Sequence, residues 1–118
     1  MRVHHVALQV TDLHVARAFY VDVLGFVVTR EQGHSVWLDA GGATVMLELC
    51  AGPVVVDAWA ADRAGLHVVA FAVAAGERAA WLRRLDAAGV AVDHVSGFSI
   101  YFRDPFGARL ALSHFPDA

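Results

Sequence analysis

The chain has no lysine: all nine of its basic residues are arginine. That excludes any mechanism running through a lysine Schiff base. A single cysteine, Cys50, leaves no internal disulfide to form, and its place in an apolar stretch reads as a small buried hydrophobe rather than a nucleophile. Charge is scarce, 18% against 58% hydrophobic, which excludes a disordered tail or a highly charged binding arm. No apolar run approaches the roughly 20 residues that a membrane span needs. The start, M-R-V-H-H-V-A-L, has neither the long apolar region nor the small-residue cleavage site of a signal peptide. A net charge of −3 gives no electrostatic ground for a nucleic-acid partner. These absences point to a soluble, cytoplasmic protein whose partner is a small molecule, with neither nucleic acid nor membrane. Its 118 residues make one domain, or two small modules sharing a core.

What is present is a pattern that occurs twice. Val3 to Val10 alternates as a strand, with His5, Ala7 and Gln9 on one face and Val6, Leu8 and Val10 on the other. Thr11 or Asp12 caps a helix carrying Val15, Ala16, Phe19, Tyr20 and Val23 at helical spacing, and Gly25 ends it. Phe26 to Arg30 is a strand, and Val36 to Asp39 with Thr44 to Leu49 flank Gly41-Gly42 as a hairpin. Residues 51–65 break the pattern. With Val54 to Val56 and Trp59 they are too apolar for a flexible linker, and they read as a connector that packs on something. Then Leu66 to Val73 is a strand, Glu77 to Ala88 an arginine-rich helix ending at Gly89, and Val90 to His94 a strand. Ser99 to Arg103 and Ala108 to Phe115 close the chain as a hairpin around Asp104-Pro105-Phe106-Gly107, where Asp and Pro open the turn and Gly supplies its exit.

His5-Val6-Ala7-Leu8 aligns with His67-Val68-Val69-Ala70 at a shift of 62, and Leu24-Gly25-Phe26 with Ala88-Gly89-Val90 at 64. Trp37-Leu38-Asp39 aligns with Tyr101-Phe102-Arg103, also at 64. Three elements agreeing within two residues indicate an internal duplication. Two β-α-β-β-β modules bury their helices on one sheet face and leave the other free. The free face carries His5, because Val6, Leu8 and Val10 are the better helix-packing set. A concave sheet lined by a few polar groups is a natural ligand site. Trp37, Met46, Phe71 and Tyr101 are candidates to line it for an apolar or aromatic ligand, with Gln9, Arg2 and Arg103 as polar candidates near it. Core packing accounts for the apolar four equally well.

His5-Val6-Ala7-Leu8-Gln9-Val10, Asp12-Leu13 through Ala18-Phe19-Tyr20 to Leu24-Gly25-Phe26, and Asp104-Pro105-Phe106-Gly107 together resemble the vicinal oxygen chelate superfamily. That group includes glyoxalase I, extradiol dioxygenases and bleomycin-resistance proteins. The resemblance covers essentially the whole chain. It implies an α+β fold in which two tandem βαβββ modules form a curved, partly closed mixed sheet with the helices outside. Module one would span about residues 1–50, the connector 51–65 and module two 66–118. It also implies a homodimer and, in enzymatic members, a divalent metal (Zn, Fe, Mn, Ni or Co) that chelates adjacent substrate oxygens.

Carried over position by position, the family's two histidine ligands fall on His5 and His67 and its fourth-strand carboxylate on Glu48. The last-strand carboxylate position falls on Ala111, so the fourth ligand is missing. Glu48, one of three glutamates and set between Met46-Leu47 and Leu49-Cys50, should be buried and therefore partnered. A metal, an ion pair with Arg103 or Arg109, and an unligated role as catalytic general base all satisfy that requirement. Two readings of function stay open: a metal-dependent lyase, isomerase or dioxygenase, and a metal-free drug- or metabolite-binding protein.

Overall fold

A computed structural model describes residues 1–59 and 62–118. The chain divides into two compact units, Met1–Val55 and Val56–Ala118. Each is a β-α-β-β-β module with its own four-stranded mixed sheet, and neither sheet closes on itself.

In the first unit, β1 (His5–Val10) runs into α1 (Leu13–Arg17), followed by β2 (Val27–Gln32), β3 (Ser35–Asp39) and β4 (Thr44–Leu49). Asp12 is the cap: its carboxylate accepts from the Val15 amide at 3.0 Å, satisfying one of the orphan donors of the first turn. Beyond Arg17 the helix widens into a π turn over Ala18–Val23, and the Leu24 amide reaches back to the Phe19 carbonyl at 3.1 Å. Gly25, at φ 84°, ends the turn in a conformation that side chains resist. The strand order is β1-β4-β3-β2, with β1 parallel to β4 and the rest antiparallel. Leu8, Val10, Val36, Leu38, Val45 and Leu47 alternate onto one buried face, with Ala16, Phe19 and Tyr20 of the helical segment also buried.

The second unit repeats this with β5 (Val69–Ala72), α2 (Arg78–Ala87), β6 (Val92–Val95), β7 (Ser99–Arg103) and β8 (Arg109–Ser113), in the order β5-β8-β7-β6. Its core is Leu85 with Ile100, Phe102, Leu110 and Leu112. The β7–β8 turn is built as its sequence requires. Asp104, 5% exposed, accepts from the Phe106 and Ala108 amides at 2.9 and 2.8 Å, and Gly107 leaves the turn at φ 89°.

The backbone registers sharpen the duplication. One row across the first sheet runs Arg30–Trp37–Met46–Ala7, and the matching row across the second runs His94–Tyr101–Ala111–Ala70. Each outer strand carries an irregularity at the same point, between Val28 and Arg30 and between Val92 and His94. Trp37 and Tyr101 match as the sequence alignment has them. The first strands do not, because Ala7 answers to Ala70, a shift of 63 rather than 62. His67 therefore answers to His4, and the side chain at the His5 place is Val68. In strands a slip of one residue exchanges the two faces.

Asp104→Ala removes two buried acceptor contacts and should lower unfolding stability by about 2 kcal/mol, whereas Asp104→Asn, which keeps an acceptor oxygen, should lose less than half of that. Urea unfolding of the two variants checks the order.

Candidate functional site

The sequence-derived residues do not converge within the first unit. His5 stands opposite Thr44, and Glu48 stands opposite Gln9. They are thus four residues apart along adjacent strands, about 13 Å at the usual strand rise. Ligands of one metal lie about 2 Å from it, and the backbone register alone does not bring these two side chains to such a point. His5 is exposed, and its Nδ1 lies 2.9 Å from Nδ1 of His4. Glu48 is half-buried rather than buried, so the desolvation that would demand a partner is largely absent. Gln9 and Met46 share the open face with Glu48, as does Trp37, whose ring lies 5.2 Å beneath the Arg30 guanidinium.

In the second unit Phe71 belongs to the other face. It pairs with Leu112, which pairs with Ile100, and both of those partners are core. The expectation that Phe71 and Tyr101 line one surface fails on alternation alone. Ser113, on the Ala111 side of its strand, is the register counterpart of Glu48 and is engaged by the Ser99 hydroxyl at 2.9 Å. His114 turns to the core side, 7% exposed, with the Arg78 guanidinium 3.1 Å from its Nε2.

The open face of this second sheet holds the denser cluster. His94, Tyr101 and Ala111 form its central row, with Arg109 two residues before Ala111 on the same side. The connector lies on this face. Trp59 packs against Tyr101 at 4.9 Å between ring centroids, stacks on His94 at 5.6 Å and 25°, and meets His67 at 5.4 Å. The Arg109 guanidinium sits 5.3 Å from the indole centroid. Two arginines fasten the connector backbone: Arg103 donates to the Asp57 carbonyl at 2.5 Å, and Arg109 donates to the Ala58 carbonyl. Arg109 also points an N–H at Nδ1 of His67, 2.6 Å away. Its side chain is 8% exposed, and its Nε is buried with no hydrogen-bond partner among the described residues.

Of this cluster the sequence offers Tyr101, His67 and Arg109 as candidates, while for Trp59 it gives no more than the apolar character of the connector. Trp59 has no periodic neighbours to place it, and His94 reads as a strand end with solvent exposure as its default.

The charges around Asp57 have a defined sign. Its hydrogen bond with Arg63 is the main reason its carboxyl sits below the ordinary value of 3.8, with Arg109 contributing through space. Arg103 and Arg109 stand 3.8 and 4.0 Å from its oxygens.

Among the described residues, no three His, Cys, Asp or Glu side chains gather as a metal site would require. A divalent metal is what the family fold implies. Within each unit the donors do not fit one, because His5 and Glu48 stand four residues apart along adjacent strands, Ala111 offers a methyl group, and Nδ1 of His67 already faces an arginine N–H.

Residues 2–112 match the Glyoxalase/Bleomycin resistance protein/Dioxygenase superfamily, and the chain belongs to it. Among solved structures it is similar to SMU.1112c, at 31% identity over 97% of this chain and 98% of that one, with a TM-score of 0.79. It is also similar to a lactoylglutathione lyase from Agrobacterium tumefaciens, at 25% identity, 97% and 93% coverage and a TM-score of 0.75. A glyoxalase/dioxygenase from Nostoc punctiforme shares the fold at 19% identity, 98% and 92% coverage and a TM-score of 0.84. No curated protein matches the chain. Among the described residues no helix is long and apolar enough to cross a membrane.

Because the folded-state pKa of Asp57 is depressed, chiefly by Arg63 within the connector and in smaller part by Arg109 of the sheet, its ion-pair contribution is complete above the unfolded value and is lost as pH falls through the folded one. Acid titration should therefore move the Trp59 indole N–H resonance below pH 3.8, and Asp57→Asn should abolish that step. Nitrogen-edited NMR, in which the chain's three tryptophans give separate indole signals, reads it directly.

Proposed function

We propose that this chain is a small-molecule-binding member of its superfamily that takes its ligand without a metal, on the open face of the second sheet. The observation carrying the proposal is the packing of Trp59, His67, His94, Tyr101 and Arg109 into one cluster on the face that bears Ala111. Where the family places a carboxylate ligand, this face offers a methyl group among aromatic rings and an arginine. That surface suits stacking and charge-assisted hydrogen bonding rather than metal ligation.

The second reading is a metal-dependent lyase, isomerase or dioxygenase, with His5, Glu48 and His67 as ligands and Glu48 as the catalytic base. It has in its favour the family match and the 25% identity to a lactoylglutathione lyase.

Metal loading separates the two. After exposure to Zn, Fe, Ni, Mn and Co in turn, the binding reading expects less than about a tenth of a metal per chain and an unchanged melting temperature, since structural metal sites contribute folding energy. Near-stoichiometric metal that is lost in His5→Ala would establish the second reading instead.

A further inference from the structure

The connector segment Asp57-Ala58-Trp59 touches the open face of the second sheet in a particular way. It brings one aromatic ring, one carboxylate and two carbonyl oxygens. The ring is enclosed by Tyr101, His94, His67 and the Arg109 guanidinium, and the oxygens meet the N–H groups of Arg103 and Arg109. Among the described residues, no backbone-to-backbone hydrogen bond ties residues 54–66 to either neighbouring strand. The segment is therefore held by the same kinds of contact a bound ligand would make. A stretch so attached opens at low cost compared with a strand.

We propose that Asp57-Ala58-Trp59 occupies the ligand's place, and that the ligand is a planar aromatic molecule carrying a carboxylate or similar anionic oxygen group, which binds by displacing it. This inference rests on the binding reading above and names the ligand class for that face.

Charge decides in favour of an anion. With the segment in place, Arg103 and Arg109 face Asp57 and Asp93, with Arg103 donating to Asp93 at 3.1 Å. Displacement removes Asp57 together with the carbonyls of Asp57 and Ala58. Among the described residues, Arg103 then keeps Asp93 and the Gly107 carbonyl, and Arg109 keeps His67. The face is left with two guanidinium groups against one carboxylate. Arg109 has a further claim, because among the described residues its buried Nε–H has no acceptor even in the closed arrangement. A bidentate anion would satisfy that N–H and the one released by Ala58 together. A cationic ligand would meet the same two arginines with the single Asp93 carboxylate to offset them. The size of the ring is set by what it replaces, an indole lying on Tyr101 and His94.

The test uses the full chain and three probes with one ring: indole-3-acetate, neutral indole and cationic tryptamine. In the unaltered protein, indole-3-acetate should shift the Trp59 indole N–H resonance toward its solvent-exposed position, and tryptamine should not. Trp59→Ala removes the competing ring and should bind indole-3-acetate about tenfold more tightly, because the competent state no longer has to be uncovered. Binding of indole-3-acetate that leaves the Trp59 signal in place, together with no gain in Trp59→Ala, overturns the displacement. Tighter binding of indole or tryptamine than of the acid overturns the anionic class and leaves metal-free binding standing. If no probe binds until a divalent metal is added, the binding reading itself falls and takes this inference with it. Should Trp59→Ala fail to fold, the resonance shift in the unaltered chain decides alone.

Discussion

Each sheet depends on an alternation that admits no slip. Val45, Leu47, Leu38 and Val36 in the first unit, with Leu110, Leu112, Phe102 and Ile100 in the second, fall on every other position of paired strands, and all are 5% exposed or less. Once those rows are core, the positions between them are committed to the opposite face. The irregularities at Val28/Arg30 and Val92/His94 complete this arrangement by re-aiming the outer strands so that Arg30 meets Trp37 and His94 meets Tyr101. Every functional statement about this chain passes through that parity. It groups Tyr101 with Ala111 and Ala70, removes Phe71 from their company, and keeps His5 and Glu48 four residues apart.

Arginine is the residue that connects this framework to the connector. A guanidinium is flat, so Arg109 can lie over the Trp59 ring, donate to the Ala58 carbonyl and approach His67 with separate N–H groups. A lysine ammonium is a compact point charge and makes no such flat contact. The absence of lysine from the chain therefore has a structural counterpart here, whatever its origin. Burial raises the demand on these contacts. Arg103 and Arg109 are 14% and 8% exposed, and a charge so nearly removed from water must be met by acceptors. Asp57, Asp93 and the two connector carbonyls meet it. The connector's attachment and the solvation of the arginines are in this sense one interaction.

Much of this was legible in the sequence, and the exceptions are informative. The Asp104-Pro105-Phe106-Gly107 turn, the βαβββ repeat, the Asp12 cap and the match of Trp37 with Tyr101 follow from local chemistry and spacing, and the structure keeps them. The first strands were misaligned by one residue because His-Val occurs at both His5 and His67, and identity of letters outweighed parity. β5 begins at Val69, so His67 lies outside the strand whose alternation was used to place it. The family resemblance puts its two carboxylate positions on Glu48 and Ala111, whereas in the backbone rows the counterpart of Ala111 is Met46. Trp59 could not be placed at all, since residues 51–65 have no period to read. Its partners come from elements 8 to 50 residues away.

The gap at Ala111 acquires a physical meaning from its neighbours. It is 1% exposed, beside Tyr101 in register and two residues from Arg109 on the same face. A carboxylate there would lie within reach of the Arg109 guanidinium and would compete with the connector for its N–H groups. A methyl group makes no such demand and leaves the Arg109 N–H groups to the Ala58 carbonyl of the connector and to His67. The fold thus leaves the residue at this position free to vary, and that residue decides which acceptors the neighbouring arginine meets.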